Sequence, residues 1–255
     1  MEKVINRFPL LLIKVQEKEE YLRDFINGKL YMNSSGFFRN KENNYRSDIH
    51  DGRYAIPTGD VHIVLEDPHS GKRIFLDEEH GMKPDTLSYG FEGDDRIPVF
   101  CMTLIDSDAL VSVGDDEYKI KESIVEELSK FGSHCVIVPF LDVRQRIIEY
   151  NDNHEDEALW FRKVEYYEPI SNAWKLTELM QIYKNDPMGN YRALFNKRID
   201  YANQHEWRLI LVGNDFMIPK GDNHRIVQIR KFEKTKILPI SVLKDAVFKT
   251  ITVYE

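Results

Sequence analysis

Residues 8–34, "FPLLLIKVQEKEEYLRDFINGKLYMNS", decide the fold class. "FPLLLIKV" is a continuous apolar run of strand length. The pattern then changes period, and Tyr21, Leu22, Phe25 and Ile26 recur on one stripe, as on a helix. Acidic residues fill the first turn, where the helix dipole favours them. Gly28 stands where a left-handed C-terminal cap belongs. "KLYMNS" (29–34) reads as a second strand. The opening is therefore expected to be strand, helix, glycine, strand.

The same reading extends outward. A short helix is expected at 37–43, then a hairpin over "VHIVLEDPHSGKRIFLDE" (61–78), which alternates on both sides of Pro-His-Ser-Gly. Residues 79–95 read as a surface loop. "RIPVFCMTLID" (96–106) is a central strand and "KESIVEELSKFG" (121–132) a helix ending at glycine. "SHCVIVPF" is a further strand, and "LDVRQRIIEYN" a helix with Val143, Ile147 and Ile148 inward. A strand follows at 158–168 and a helix at 172–186. Strands at 225–229 and 246–254 close the chain, with a short helix at 240–246. No repeat and no linker rich in Pro, Gly or Ser divides the sequence. Helices and strands interleave irregularly. The expected fold is one α+β domain over residues 1–255, a mixed, mainly antiparallel sheet flanked by helices.

The composition suits a packed protein: 42% of the 255 residues are hydrophobic and 12% aromatic. Thirty-five basic residues against 43 acidic give a net charge of −8, which opposes non-specific nucleic-acid binding. "RKFEKTK" (230–236) is the densest basic run and reads as a solvated strand end. Cys101 and Cys135 lie in apolar runs and are expected as buried thiols on adjacent strands. "MEKVINRF" lacks the features of a signal peptide, and no apolar run is long enough to cross a bilayer. A cytoplasmic protein with no membrane association is expected.

Two stretches carry chemistry. In "DYANQHEWRLILVG" (200–213) a loop becomes a buried strand. Side chains alternate there, so Glu206, Arg208 and Ile210 share one face while Trp207, Leu209 and Leu211 share the other. A carboxylate and a guanidinium thus stand at the mouth of a sheet. The plainer alternative is an exposed strand-end ion pair worth under about 1 kcal/mol. In "FFRNKENNYRSDIHDG" (37–52), a helix would put Phe38 and Glu42 on one face with Arg39 beside them. The following loop supplies Arg46 and Asp48. Aromatics stack a base, arginines grip phosphate and acids take ribose hydroxyls, so this mixture suits a nucleotide. An irregular loop held by its own ion pairs is the alternative. The eight histidines form no metal-binding spacing. Asp48, Asp51 and Glu206 could meet around a magnesium ion, as in a metal-dependent nuclease, but they match no recognised ligand pattern, so no metal site is expected. No phosphate-cradling glycine loop is present. His134 and Cys135, neighbours on a strand, point to opposite faces.

Taken together, "EEYLRDFINGKLYMNSSGFFRNKE", "YRSDIHDG", "FGSHCVIVPF" and "YANQHEWRLILVG" resemble bacterial and phage proteins of unassigned activity. These share the order Phe-x-x-x-Glu, Arg-x-Asp, Glu-Trp-Arg. A more distant likeness is to the ADP-ribosyltransferase fold, carried by "FINGKLYMNSS" and "QHEWRLIL". That likeness implies NAD as the nucleotide and Glu206 as the catalytic acid. It implies Tyr31 or Phe38 stacking on nicotinamide and Arg39 or Arg46 holding the pyrophosphate. The sequence departs from the superfamily in offering Lys14 on its first strand, with Arg7 just before it. The ligand-binding candidates are Tyr31, Asn33, Phe38, Arg39, Glu42, Arg46, Asp48 and Arg208. A toxin or phage-defence effector is the expected role. The alternative is a non-catalytic protein that captures a nucleotide signal or a partner protein.

Overall fold

The computed structural model describes residues 4–7, 10–40, 48, 50–57, 63–66, 70–76, 86–90, 93–168, 188–249 and 251–254. In chain order its strands begin β1 (Val4–Arg7), β2 (Leu11–Gln16), β3 (Lys29–Ser34), β4 (Tyr54–Pro57), β5 (Ile63–Glu66), β6 (Arg73–Leu76) and β7 (Thr86–Tyr89). They continue with β8 (Pro98–Ile105), β9 (Leu110–Gly114), β10 (Glu117–Ile120), β11 (His134–Pro139), β12 (Glu157–Lys163) and β13 (Glu165–Tyr167). The last are β14 (Asn196–Arg198), β15 (Glu206–Gly213), β16 (His224–Gln228), β17 (Ile237–Pro239), β18 (Phe248–Lys249) and β19 (Ile251–Tyr254). The helices are α1 (Glu19–Ile26), α2 (Ser35–Asn40), α3 (Glu122–Ser129), α4 (Phe140–Asp152) and α5 (Val242–Asp245). Among the described residues no helix is long and apolar enough to cross a membrane.

An eight-stranded antiparallel sheet dominates, in the order β12-β15-β8-β2-β11-β17, with β3 on β8 and β16 on β3. β8 and β15 lie inside it, which explains why both read as nearly unbroken apolar runs. The sheet is covered on two sides. Trp207, Leu209 and Leu211 pack in one core with Val143 and Ile147 of α4. Ile13, Val15 and Cys135 pack in another with Ile124, Val125 and Leu128 of α3. The α+β expectation holds, and the opening unit is strand, helix, glycine, strand as read, although the strand begins at Leu11 and Tyr21 of the expected stripe is exposed. α1 buries Leu22 and Phe25, each contributing about 1.5–3 kcal/mol, and Gly28 ends it at φ +85°.

β8 forks. One edge pairs with β15 along Val99–Thr103. The other pairs with β2 only from Thr103 to Ile105, and with β3 only at Pro98 and Val99. β2 and β3 diverge between those contacts, and α1 spans them at the back. Lys14 sits in the fork, donating from Nζ to the carbonyl of Cys101 at 2.6 Å and lying 4.1 Å from the centroid of the Phe100 ring. A side-chain cation thereby meets a carbonyl that the diverging strands leave without a ladder partner.

Several expectations change. Residues 79–95 are not wholly a loop, because β7 pairs with β4. The strand expected at 158–168 is two strands broken at Val164, whose N–H bonds to the Glu206 carbonyl. Ile148 is exposed, not inward. Cys135 on β11 is buried but Cys101 on β8 only partly so, and the two are not on adjacent strands, since β2 lies between them. Residues 230–236 form a loop rather than a strand end, with Phe232 buried in the core. The β9–β10 hairpin and β17 carried no signal strong enough to read. The expected helix at 37–43 is α2, ending at Asn40, and residues 41–43 lie outside the described residues, as does the helix expected at 172–186.

Candidate functional site

The fork opens into a cleft of about 840 Å³. One wall is the outward face of β3, where the alternation of Lys29, Tyr31 and Asn33 against buried Leu30, Met32 and Ser34 sets the polar side chains toward the opening. His224 of β16 stacks on Tyr31, with ring centroids 4.3 Å apart. The opposite wall is β2 with Leu128 of α3 and Phe131 just beyond it. Phe37 and Phe38, packed edge to face at 5.7 Å, close one end. The floor is Phe100–Thr103 of β8, and beyond it lie Glu206, Lys197 and Gln204.

Glu206 is the pivot of a buried charge cluster. Its partner across β8 is Thr103, which pairs in turn with Ile13, so the three residues form a row across the sheet. Arg208, two residues along the same face, donates from Nε to Glu206 Oε1 at 2.8 Å and from Nη2 to Oε2 at 3.1 Å. Its Nη1 and Nη2 also reach both carboxylate oxygens of Asp51, at 2.6 and 2.8 Å. The Leu194 carbonyl takes a further bond from Nη1 at 2.6 Å. Lys197 Nζ donates to Glu206 Oε2 at 3.1 Å and to Gln204 Oε1 at 2.8 Å. The exposed strand-end alternative fails, since Glu206 is 7% and Arg208 2% exposed.

Burial pushes the Glu206 carboxyl toward neutrality, but the charges of Arg208 and Lys197 outweigh it and hold the group well below the usual carboxylate range. Glu206 is therefore an anion at any physiological pH. Burial pushes the adjacent Cys101 thiol upward, with the Glu206 charge adding to the shift, which disfavours the thiolate. The Tyr166 hydroxyl, accepting the Glu206 backbone N–H at 2.8 Å, is likewise pushed up by burial and by Glu206.

The expected residues fall into three groups. Tyr31, Asn33, Phe38 and Glu206 line the cleft together. Arg208, Arg39 and Asp48 are buried beside it and hold other groups in place. Arg39 donates to Asp94 at 2.9 Å and to the Asp51 carbonyl at 3.1 Å, so it braces the loop and does not present itself to a phosphate. Asp48 accepts the His50 N–H at 2.9 Å and its carbonyl accepts the Asp51 N–H at 2.8 Å, shaping the turn that aims Asp51 at Arg208. Glu42 and Arg46 lie outside the described residues.

No protein-family model, curated protein or solved structure matches the chain.

The site's chemistry thus rests on its own geometry. Sequence reasoning missed Lys197 and Gln204, and gave Asp51 as a turn residue and a candidate magnesium ligand, not as a partner of Arg208. Lys197 lies on a three-residue strand, too short for any periodicity to mark it as inward. The space between Asp51 and Glu206 is filled by Arg208 and Lys197, which is where a metal shared by those acids would have to stand. Among the described residues no group of three His, Cys, Asp or Glu side chains is arranged to hold a metal.

Proposed function

We propose that the cleft binds a nucleotide and that the protein acts on NAD in the manner of an ADP-ribosyltransferase. The supporting observation is that a buried carboxylate from residue 206, paired with Arg208 and Lys197, meets Lys14, Tyr31 and Phe38 from the first forty residues in one cleft. Its volume of about 840 Å³ and its aromatic lining suit a ligand of this size. Glu206 is the catalytic acid of this reading. Its carboxylate accepts a hydrogen bond from a ribose hydroxyl and stabilises positive charge developing on the sugar as nicotinamide departs. Lys14, which lines the cleft, takes the phosphate role that the likeness gives to Arg39 or Arg46. Tyr31 and Phe38 stack on planar rings, and Asn33 offers an amide from the same wall. A toxin or phage-defence effector acting in the cytoplasm fits this chemistry, and the free thiols Cys101 and Cys135 fit a reducing compartment.

One observation favours a second reading, in which a nucleotide signal or a partner protein is captured without turnover. Both Glu206 oxygens already accept hydrogen bonds from cations. Release of nicotinamide from NAD and the melting shift caused by NAD separate the two. On the first reading the protein releases nicotinamide, and Glu206→Gln slows release by roughly 100-fold or more while a melting shift persists. A melting shift without release supports capture. Release at the normal rate by the Gln variant removes Glu206 from the chemistry.

A further inference from the structure

We infer that Lys197 is a positioning residue for Glu206 and that Gln204 sets its place. This rests on Glu206 being the working group of the cleft. β14, which carries Lys197, runs parallel to β13, so Lys197 lies beside Tyr166, whose hydroxyl takes the Glu206 backbone N–H. Lys197 is 2% exposed. Its ammonium lies 3.1 Å from Glu206 Oε2 and 3.4 Å from Asp51 Oδ2. Gln204 accepts from Lys197 at 2.8 Å and donates to Glu127 of α3 at 3.1 Å, one residue before the cleft-lining Leu128. The carboxylate is thus gripped side-on by Arg208 and from a second direction by Lys197, and the second grip is riveted to the cleft wall.

Stability alone does not account for this lysine. Desolvating an ammonium costs about what its pairing returns, and apolar replacements of buried ion pairs are commonly neutral or better. A carboxylate that must meet a ribose within a few tenths of an ångström gains from being fixed in two directions. The groups facing Glu206 are Arg208 on its own strand, Lys197 on β14, Asp51 on the loop before β4, Cys101 on β8 and Tyr166 on β13. Two cations balance two anions among the ionised members, Arg208 and Lys197 against Asp51 and Glu206.

That balance suggests the experiment. Lys197→Met leaves one buried negative charge in excess, whereas Lys197→Met with Asp51→Asn is balanced again. Nicotinamide release is measured against pH for the wild type, both variants and Lys197→Arg. Positioning predicts that kcat falls about tenfold or more in Lys197→Met and stays low in the balanced double variant. KM stays within about twofold, and the acid limb moves to higher pH because Glu206 has lost a cation. Lys197→Arg, which keeps the charge with a different shape, recovers part of the loss. Wild-type kcat in the balanced variant overturns the inference and makes Lys197 a counter-charge only. Should the wild type release no nicotinamide, the NAD reading falls. Lys197 is then judged on the Glu206 carboxyl carbon resonance, assigned by its loss in Glu206→Gln. A resonance that shifts in Lys197→Met and stays shifted in the balanced double variant supports positioning, and one that returns there to its wild-type position, or never moves, overturns it.

Discussion

Arg208 shows how much one side chain can organise. Five hydrogen bonds run from its guanidinium to Asp51, Glu206 and the Leu194 carbonyl. A lysine has one nitrogen and cannot pair through two nitrogens with each of two carboxylates, as this guanidinium does. Arg208→Lys should therefore destabilise the protein by about 3 kcal/mol, as for other broken buried pairs, read from urea unfolding. Glu206 adds a pH signature. Its folded pKa is depressed, so its contribution is complete above the free carboxyl value of about 4.3 and is lost as pH falls through the folded value. Glu206→Gln should flatten this acid limb and leave the neutral range without a new slope. His205 behaves differently. Burial lowers its pKa, so the unfolded chain takes up the proton first and stability declines as pH drops below about 6.5. Unfolding of His205→Gln across pH 5 to 7 should lack that decline.

Among the elements, the unit from β2 to β3 was the easiest to read, because a change of hydrophobic period and one glycine define it. Gly28 has φ +85°, and an added Cβ would lie 2.1 Å from the Ile229 carbonyl oxygen. Gly28→Ala should accordingly lower stability by more than about 2 kcal/mol, seen as a fall in melting temperature. Strand parity likewise placed Glu206 and Arg208 on one face. What parity could not supply was partners. Asp51 is 157 residues from Arg208, and nothing local marks it as the counter-ion. Arg39 reads as a phosphate ligand from the aromatic and charged residues around it on a short helix, yet Asp94 claims it from a segment that reads as surface. The fork was hidden for a related reason, since β8 reads as one apolar strand whether its edge meets one neighbour or two.

For the molecule as a whole, the two diverging arms leave a cleft whose walls come from β2 and α3 on one side and β3 and β16 on the other. A ligand that touches both arms binds the folded chain alone. At one hundred times its dissociation constant it should add about 2.7 kcal/mol to stability, measured by calorimetry with and without NAD. Amide exchange in β2 and β3 should slow on binding, while the β9–β10 hairpin, away from the cleft, should be unaffected.

The clasp between Asp51 and Arg208 also fixes a time order. While the chain is being synthesised from its N-terminus, the cleft's first wall can emerge and fold long before residue 208 leaves the ribosome. Until then the Asp51 carboxylate lacks Arg208 and the carboxylate of residue 206 does not yet exist. A product that stops before residue 206 carries neither that carboxylate nor its guanidinium, and the charge cluster beyond the cleft floor cannot assemble.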